Sequence, residues 1–164
     1  MVGNLIGFNA AALLFWGMGG TSHWADLKEL IDNDTREFAS GSDYLRTEVN
    51  FQQMETGLAM IHTESHIVRG TGHAAMKETR HVPLKNVRKI AVLQGGSEPG
   101  EVRRYLVLIQ YRTEATKVYL QQTGEHEAFA TQQAFTLGTY TETRAEQILA
   151  GLKGLCLQAG AILE

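Results

Sequence analysis

The chain has little of two residues that constrain protein structure: it contains one cysteine and two prolines among 164 residues. A single cysteine excludes an intramolecular disulfide and any zinc site built from paired cysteines. The sequence is therefore not that of a disulfide-rich secreted protein. We expect Cys156 to be a small buried apolar residue and not a nucleophile, because free cysteine is among the most buried residue types.

Charged residues are missing from one end of the chain. No Asp, Glu, Lys or Arg occurs from Met1 to Ala25, and no basic residue precedes the apolar run as it would in a cleaved signal peptide. The run predicts an apolar helix within residues 1–21. Residues 2–20 would either contact or span a membrane, or pack on the protein body or a partner. The contact residues would be Leu5, Ile6, Phe8, Leu13, Leu14, Phe15 and Trp16.

The net charge of −3 conceals an uneven distribution. Residues 1–68 carry 3 basic and 9 acidic side chains, residues 69–112 carry 9 and 3, and residues 113–164 carry 3 and 6. An acidic chain whose basic residues are not interleaved with aromatic residues does not favour nucleic-acid binding. The basic residues predict a face for an acidic partner, for an anionic membrane surface or for the acidic N-terminal region of another copy. The alternative is a solvated sheet face. These basic residues are Lys77, Arg80, Lys85, Arg88, Lys89, Arg103 and Arg104.

Helical spacing of Trp24, Leu27, Leu30 and Ile31 predicts a short amphipathic helix with Ser22 as its N-cap. We expect it to end near Asn33 and a connection to follow through residue 43. This second region, 22–43, would precede a main domain at 44–164.

The pattern then changes from helical to alternating. Strands are predicted at 44–53, 58–69, 80–84, 88–93, 102–112 and 116–123, with glycine turns at 70–72 and 95–100. Pro83 lacks an amide donor and should end a strand or lie at an edge. We expect 102–112 and 116–123 to pair as a hairpin. Leu106 and Leu108 make the middle of the first of these strands apolar on both faces.

The end of the chain predicts a helix. Thr143 and Glu146 have the spacing of a capping box, and Gly160 is a suitable stop. The apolar stripe of this helix comprises Ile148, Leu149, Leu152, Leu155, Cys156 and Ala159. Helices at the two ends of an antiparallel strand meander indicate an α+β fold.

The region from Tyr44 to Ala159 resembles the bacterial pleckstrin-homology-like (PH-like) domains. The resemblance rests on Val82-Pro83-Leu84 with Val87 and Ile90, on the predicted hairpin, and on the closing helix at 143–159. It implies a curled antiparallel sheet of about five to seven strands closed by the C-terminal amphipathic helix. It also implies binding of phosphoinositides, peptides or proteins, or self-assembly. Lipid-binding members carry a basic cluster around the first hairpin, where this chain has only Arg46 and Arg69, which argues against phosphoinositides.

Three histidines offer an alternative. His62, His66 and His73 could complete a catalytic zinc triad, but their spacing departs from the known helical zinc motifs. Solvent-facing polar residues on a strand are the simpler interpretation. A second alternative is a soluble domain that binds an apolar ligand or peptide between the sheet and the C-terminal helix, lined by Tyr105, Tyr111 and Leu152.

The sequence thus favours a non-enzymatic binding or assembly module without a cofactor, either membrane-associated or cytoplasmic. Its apolar N-terminal segment would tether the domain to a membrane or to a larger complex. A protein partner or self-association is expected.

Overall fold

The computed structural model describes residues 22–35, 37–40, 43–68, 74–95, 105–112, 117–122, 127–130 and 133–164. The predicted apolar helix within residues 1–21 lies outside these residues, as do most of the two predicted glycine turns. The described residues form an α+β fold of two helices and nine strands. In chain order the elements are α1 (Ser22–Thr35), β1 (Glu37–Ser40), β2 (Asp43–Met54), β3 (Gly57–Val68), β4 (Ala74–Pro83), β5 (Val87–Gln94), β6 (Tyr105–Tyr111), β7 (Lys117–Gln122), β8 (Glu127–Ala130), β9 (Ala134–Thr139) and α2 (Glu142–Gln158).

The strands form two antiparallel sheets. The large sheet has the order β1-β2-β3-β4-β7-β8, and the small sheet has the order β5-β6-β9. Within the described residues, neither strand order closes on itself. A single sheet of five to seven strands was therefore too simple an expectation, since three of the nine strands, β1, β8 and β9, had no predicted counterpart.

The predicted hairpin of residues 102–112 and 116–123 is wrong. Strand β6 pairs with β5 and β9, whereas β7 pairs with β4 and β8. Both strands exist, but the chain passes from one sheet to the other between them. Strand pairing depends on which faces can be buried together, and this is not a local property of the sequence.

The elements between residues 22 and 94 otherwise follow the alternating and helical patterns, except that β4 begins at Ala74, six residues before the predicted start at residue 80. Helix α1 ends at Thr35, and β1 follows at Glu37, so the predicted connection at 34–43 contains more regular structure than expected. Pro83 is the last residue of β4 and is followed by a short 3-10 turn at Leu84–Asn86. This agrees with the missing amide of proline.

Helix α2 begins two residues earlier than the predicted capping box. Thr141 is the N-cap, and its side chain accepts a hydrogen bond from the amide of Arg144, so Thr143 and Glu146 do not cap this helix. The helix ends as predicted. Gly160 has a positive φ of 85°, and the amide of Ala161 donates to the carbonyl of Cys156 at 2.9 Å, which is the Schellman arrangement.

The core lies between the inner faces of the two sheets and the two helices. Leu27 and Ile31 of α1 are buried with the predicted stripe of α2, in which Leu149 and Ala159 are partly buried. Their sheet partners include Val107 and Ile109, which share the inner face of β6 as the alternation predicts. Helix α1 contacts α2 closely at Gly151, where the Leu27 side chain occupies the space that a Cβ would need.

Candidate interaction surface

The inner face of the large sheet carries a row of polar side chains. Strand register places His62 of β3 opposite Arg80 of β4, and Glu64 opposite Glu78. Directly opposed residues in antiparallel strands project from the same face. These four side chains therefore point toward the small sheet, and His62 and Arg80 are buried there.

Arg80 is compensated within this row. Its guanidinium pairs with the Glu78 carboxylate and lies 3.1 Å from His62 Nδ1. It also lies above the Phe135 ring of β9, with Cζ 5.6 Å from the ring centroid. A buried charge is tolerated only where such partners replace water. The arrangement connects the two sheets at Phe135.

His62 is held as a neutral ring. It stacks on Phe135 with 4.3 Å between the ring centroids, and burial, together with the nearby Arg80 charge, lowers its pKa to about 3. Because the Arg80 guanidinium can only donate, Nδ1 accepts and the ring proton lies on Nε2. Nε2 and the Tyr111 hydroxyl are buried, and neither has a hydrogen-bond partner among the residues that the structure describes. A histidine that stays neutral down to such a low pH is a weak base for proton abstraction near neutrality.

The residues of the predicted zinc triad are not brought to one point. His62 and His66 lie on the same face of β3, but four residues of extended strand separate their Cα atoms by about 13 Å. His62 is fully buried, whereas His66 is 40% exposed and lies 3.4 Å from Glu64. His73 lies outside the described residues. Within the described part of the chain, no group of three His, Cys, Asp or Glu side chains could hold a metal ion.

The predicted basic face is divided between different surfaces. Lys77 is exposed on β4, Lys85 is exposed in the 3-10 turn, and Lys89 is exposed on β5 of the other sheet. Arg80 is buried on the inner side, as described above. Arg88 is half-buried at an irregularity of β5, and Arg103 and Arg104 lie outside the described residues.

The outer face of the small sheet is apolar across two neighbouring rows. Register places Leu93 of β5 opposite Leu106 of β6, and Leu106 opposite Gly138 of β9. The next row contains Ala91, Leu108 and Thr136. Leu93 is 42% exposed, and the other side chains of the two rows are half-buried. None of these residues belongs to the core cluster or packs against it, within the part of the chain that the structure describes.

The outer face of the large sheet differs in chemistry. Its central rows consist of Glu48, Thr63 and Thr79, and of Arg46, Ser65 and Lys77. Thr63 and Thr79 are joined through their hydroxyls at 3.2 Å. An antiparallel sheet commonly buries one face and hydrates the other. The large sheet follows this rule, whereas the small sheet carries leucines on its outer face.

The sequence contained part of the signal for this surface. Leu106 and Leu108 made β6 apolar on both faces, but their outer neighbours on β5 and β9 became known only from the strand register. The residues proposed to line a ligand pocket are core residues: Tyr111 and Leu152 are buried, and Tyr105 packs against the core cluster.

Comparison with protein-family models, with characterised proteins and with solved structures gives no match. Neither of the two described helices is long and apolar enough to cross a membrane.

Proposed function

We propose that this chain is a non-enzymatic binding and assembly module of the PH-like type. The observation that supports the proposal is the apolar outer face of the small sheet, formed by Ala91, Leu93, Leu106, Leu108, Thr136 and Gly138. Exposed apolar patches on soluble domains commonly mark contact sites. We name this set the outer leucine face.

The inner polar row supports a non-catalytic function. Arg80 pairs with Glu78 and donates to His62 Nδ1, and Phe135 covers the guanidinium and the imidazole ring. Removing one partner of a buried charge destabilises the folded protein. We therefore assign this network mainly to the packing of one sheet on the other. The proposed module therefore acts through its surface.

The PH-like assignment is supported by the order of the elements. Antiparallel strands are followed by a single amphipathic helix, α2, which packs against the core of the small sheet. In this proposal the apolar N-terminal segment holds the module at a membrane or in a larger complex, so the protein is membrane-associated or cytoplasmic. The outer leucine face then contacts a protein partner or another copy.

The experiment compares full-length protein with single variants by sedimentation equilibrium and cell fractionation. We expect the wild type to be oligomeric or recovered in a particulate fraction. Leu106→Glu should weaken association by about 100-fold, since a carboxylate would be buried without a partner. Leu93→Lys tests the same face at an exposed position where folding is not at risk.

Gln52→Glu is the matched control, because it adds a carboxylate at an exposed position on the outer side of the large sheet. It should associate like the wild type. A wild-type protein that remains soluble and monomeric without detergent would contradict the proposed function. Equal effects of Gln52→Glu and Leu106→Glu would contradict the assignment of the surface.

A further inference from the structure

The outer leucine face contains a groove along β9. All outward positions of β9 carry short side chains, namely Ala134, Thr136 and Gly138, whereas the adjacent outward positions of β6 include Leu106 and Leu108. Strands lie about 4.8 Å apart, so short side chains beside leucines leave a trough next to a ridge. Strand β9 is the last strand in the order of the small sheet within the described residues, so the trough has a ridge on one side only.

The length of the trough matches the length of the predicted apolar helix at the N-terminal end of this chain. The sequence predicts a helix over Leu5–Met18, and 14 residues at 1.5 Å each give a length of about 21 Å. A six-residue strand such as β9 spans about 20 Å. The segment has no charged side chain, and neither has the outer leucine face. The row of Ala134 adds Gln110 of β6 and, two strands away on β5, the exposed Lys89, whose ammonium group can remain in water. An apolar helix can therefore cover the trough without burying a charge.

We propose that the groove along β9 binds the apolar N-terminal segment Leu5–Met18 of a second copy of this chain. The inference rests on the proposed function and names the partner of the same surface. It identifies the larger complex as an assembly of this chain with itself. Because each copy offers one segment and one groove, reciprocal exchange closes a two-fold dimer.

The length of the connection favours a second copy over the same one. Only Gly19, Gly20 and Thr21 separate Met18 from Ser22, the first residue of α1. Four Cα steps reach at most about 14 Å. Helix α1 packs on α2 through Leu27 and Gly151 and also contacts β2 and β9. Because α2 lies against the buried face of the small sheet, α1 lies on the same, inner side of that sheet. Layers on opposite faces of a sheet are about 20 Å apart, counting roughly 10 Å for each layer.

The test is complementation between two full-length variants. Leu13→Glu disables the segment and leaves the groove intact, whereas Leu108→Glu disables the groove and leaves the segment intact. We expect each variant alone to be a monomer, with association weakened by about 100-fold or more. A 1:1 mixture should form a heterodimer, held by one intact segment in one intact groove. Sedimentation equilibrium measures all three samples.

A further variant distinguishes loss of the groove from loss of the fold. Thr136→Trp fills the trough while keeping the face apolar and the strand propensity high. It should also abolish the wild-type dimer, and far-UV circular dichroism should remain native. Asn4→Glu is the control for Leu13→Glu, because it adds the same charge just outside the apolar run. It should leave the dimer intact.

The remaining outcomes overturn the inference. If Leu108→Glu is monomeric but Leu13→Glu stays dimeric, the outer leucine face packs on another such face, and only the proposed function survives. If neither variant changes association, the surface itself is wrong. If the wild type is a monomer that binds phosphatidylcholine vesicles through Leu13, the segment belongs to the membrane. A monomeric wild type that does not bind vesicles rejects both proposals.

Discussion

Replacing Gly151 with alanine measures how closely the two helices pack. An alanine Cβ at this position would lie 2.7 Å from Cδ1 and 3.3 Å from Cδ2 of Leu27. Leu27 is 4% exposed and belongs to the core, so its side chain can move only by disturbing its neighbours. Gly154 lies in the same helix, and a Cβ there would have no neighbour within 4 Å. The two positions therefore form a matched pair.

Both substitutions replace a helical glycine with alanine, so they share the same gain in helix propensity. The difference between their free energies of unfolding therefore measures the overpacking at Leu27. Glycine to alanine inside a helix stabilises by about 1 kcal/mol. Gly154→Ala should gain this amount, and the melting temperature should rise by about 2–4 °C for a chain of this size. At Gly151 the same gain is opposed by overpacking, which costs about 1–3 kcal/mol in a filled core. Gly151→Ala should thus be less stable than Gly154→Ala by about 1–3 kcal/mol.

The measurement is urea unfolding of the full-length protein, followed by circular dichroism, with both variants and the wild type under one condition. Leu27→Ala provides a double-mutant cycle, because removing Cγ and its two methyl groups relieves the crowding. In that background Gly151→Ala should recover the gain of about 1 kcal/mol. Equal stabilisation by Gly151→Ala and Gly154→Ala in the wild-type background would refute the close contact between α1 and α2.

Three further predictions follow from buried or capping groups. His62 has a pKa of about 3 in the folded protein and about 6.5 when unfolded. Only the unfolded state gains a proton between these values, so stability should fall by up to about 1.4 kcal/mol per pH unit below pH 6.5. His62→Gln should remove this slope in urea unfolding from pH 7.5 to 4.5, and an unchanged slope would disprove the assignment. Thr141→Ala should destabilise by about 1 kcal/mol and Thr143→Ala by much less; the reverse order in thermal melts would restore the predicted capping box. Burial raises the pKa of Cys156 to about 12, so dithionitrobenzoate should label it only after unfolding, and rapid labelling of native protein would contradict its burial.

The sequence predicted those elements whose signal is local. Alternation in β6 placed Val107 and Ile109 on the inner face, and the helical stripe of α2 gave its buried residues. Gly160 marked the end of that helix because only a residue without a Cβ adopts positive φ freely. These properties depend on neighbouring residues, so one sequence was sufficient.

Other features depend on partners distant in the chain. Arg80 is predicted from the sequence to belong to an exposed basic face, because its charge normally requires water or an acidic partner, and only the β3–β4 register revealed Glu78 and His62 around it. Strand β9 was missed although Phe135 and Leu137 alternate in it, because alanine and glycine at the outward positions weaken the strand signal. The outer leucine face needed both registers of the small sheet. In the sequence, only Leu106 and Leu108 indicated part of it.

The transfer of the chain between sheets has a consequence for how the protein folds. Strands β2, β3 and β4 are consecutive in the chain and in the sheet, whereas β5 and β6, which belong to the other sheet, lie between β4 and β7 in the chain. The entropy cost of closing such a long loop precedes the contacts that compensate for it. We therefore expect the junction of β4 with β7 to form late. Weakening it should speed unfolding much more than it slows folding, and global unfolding should begin at this junction.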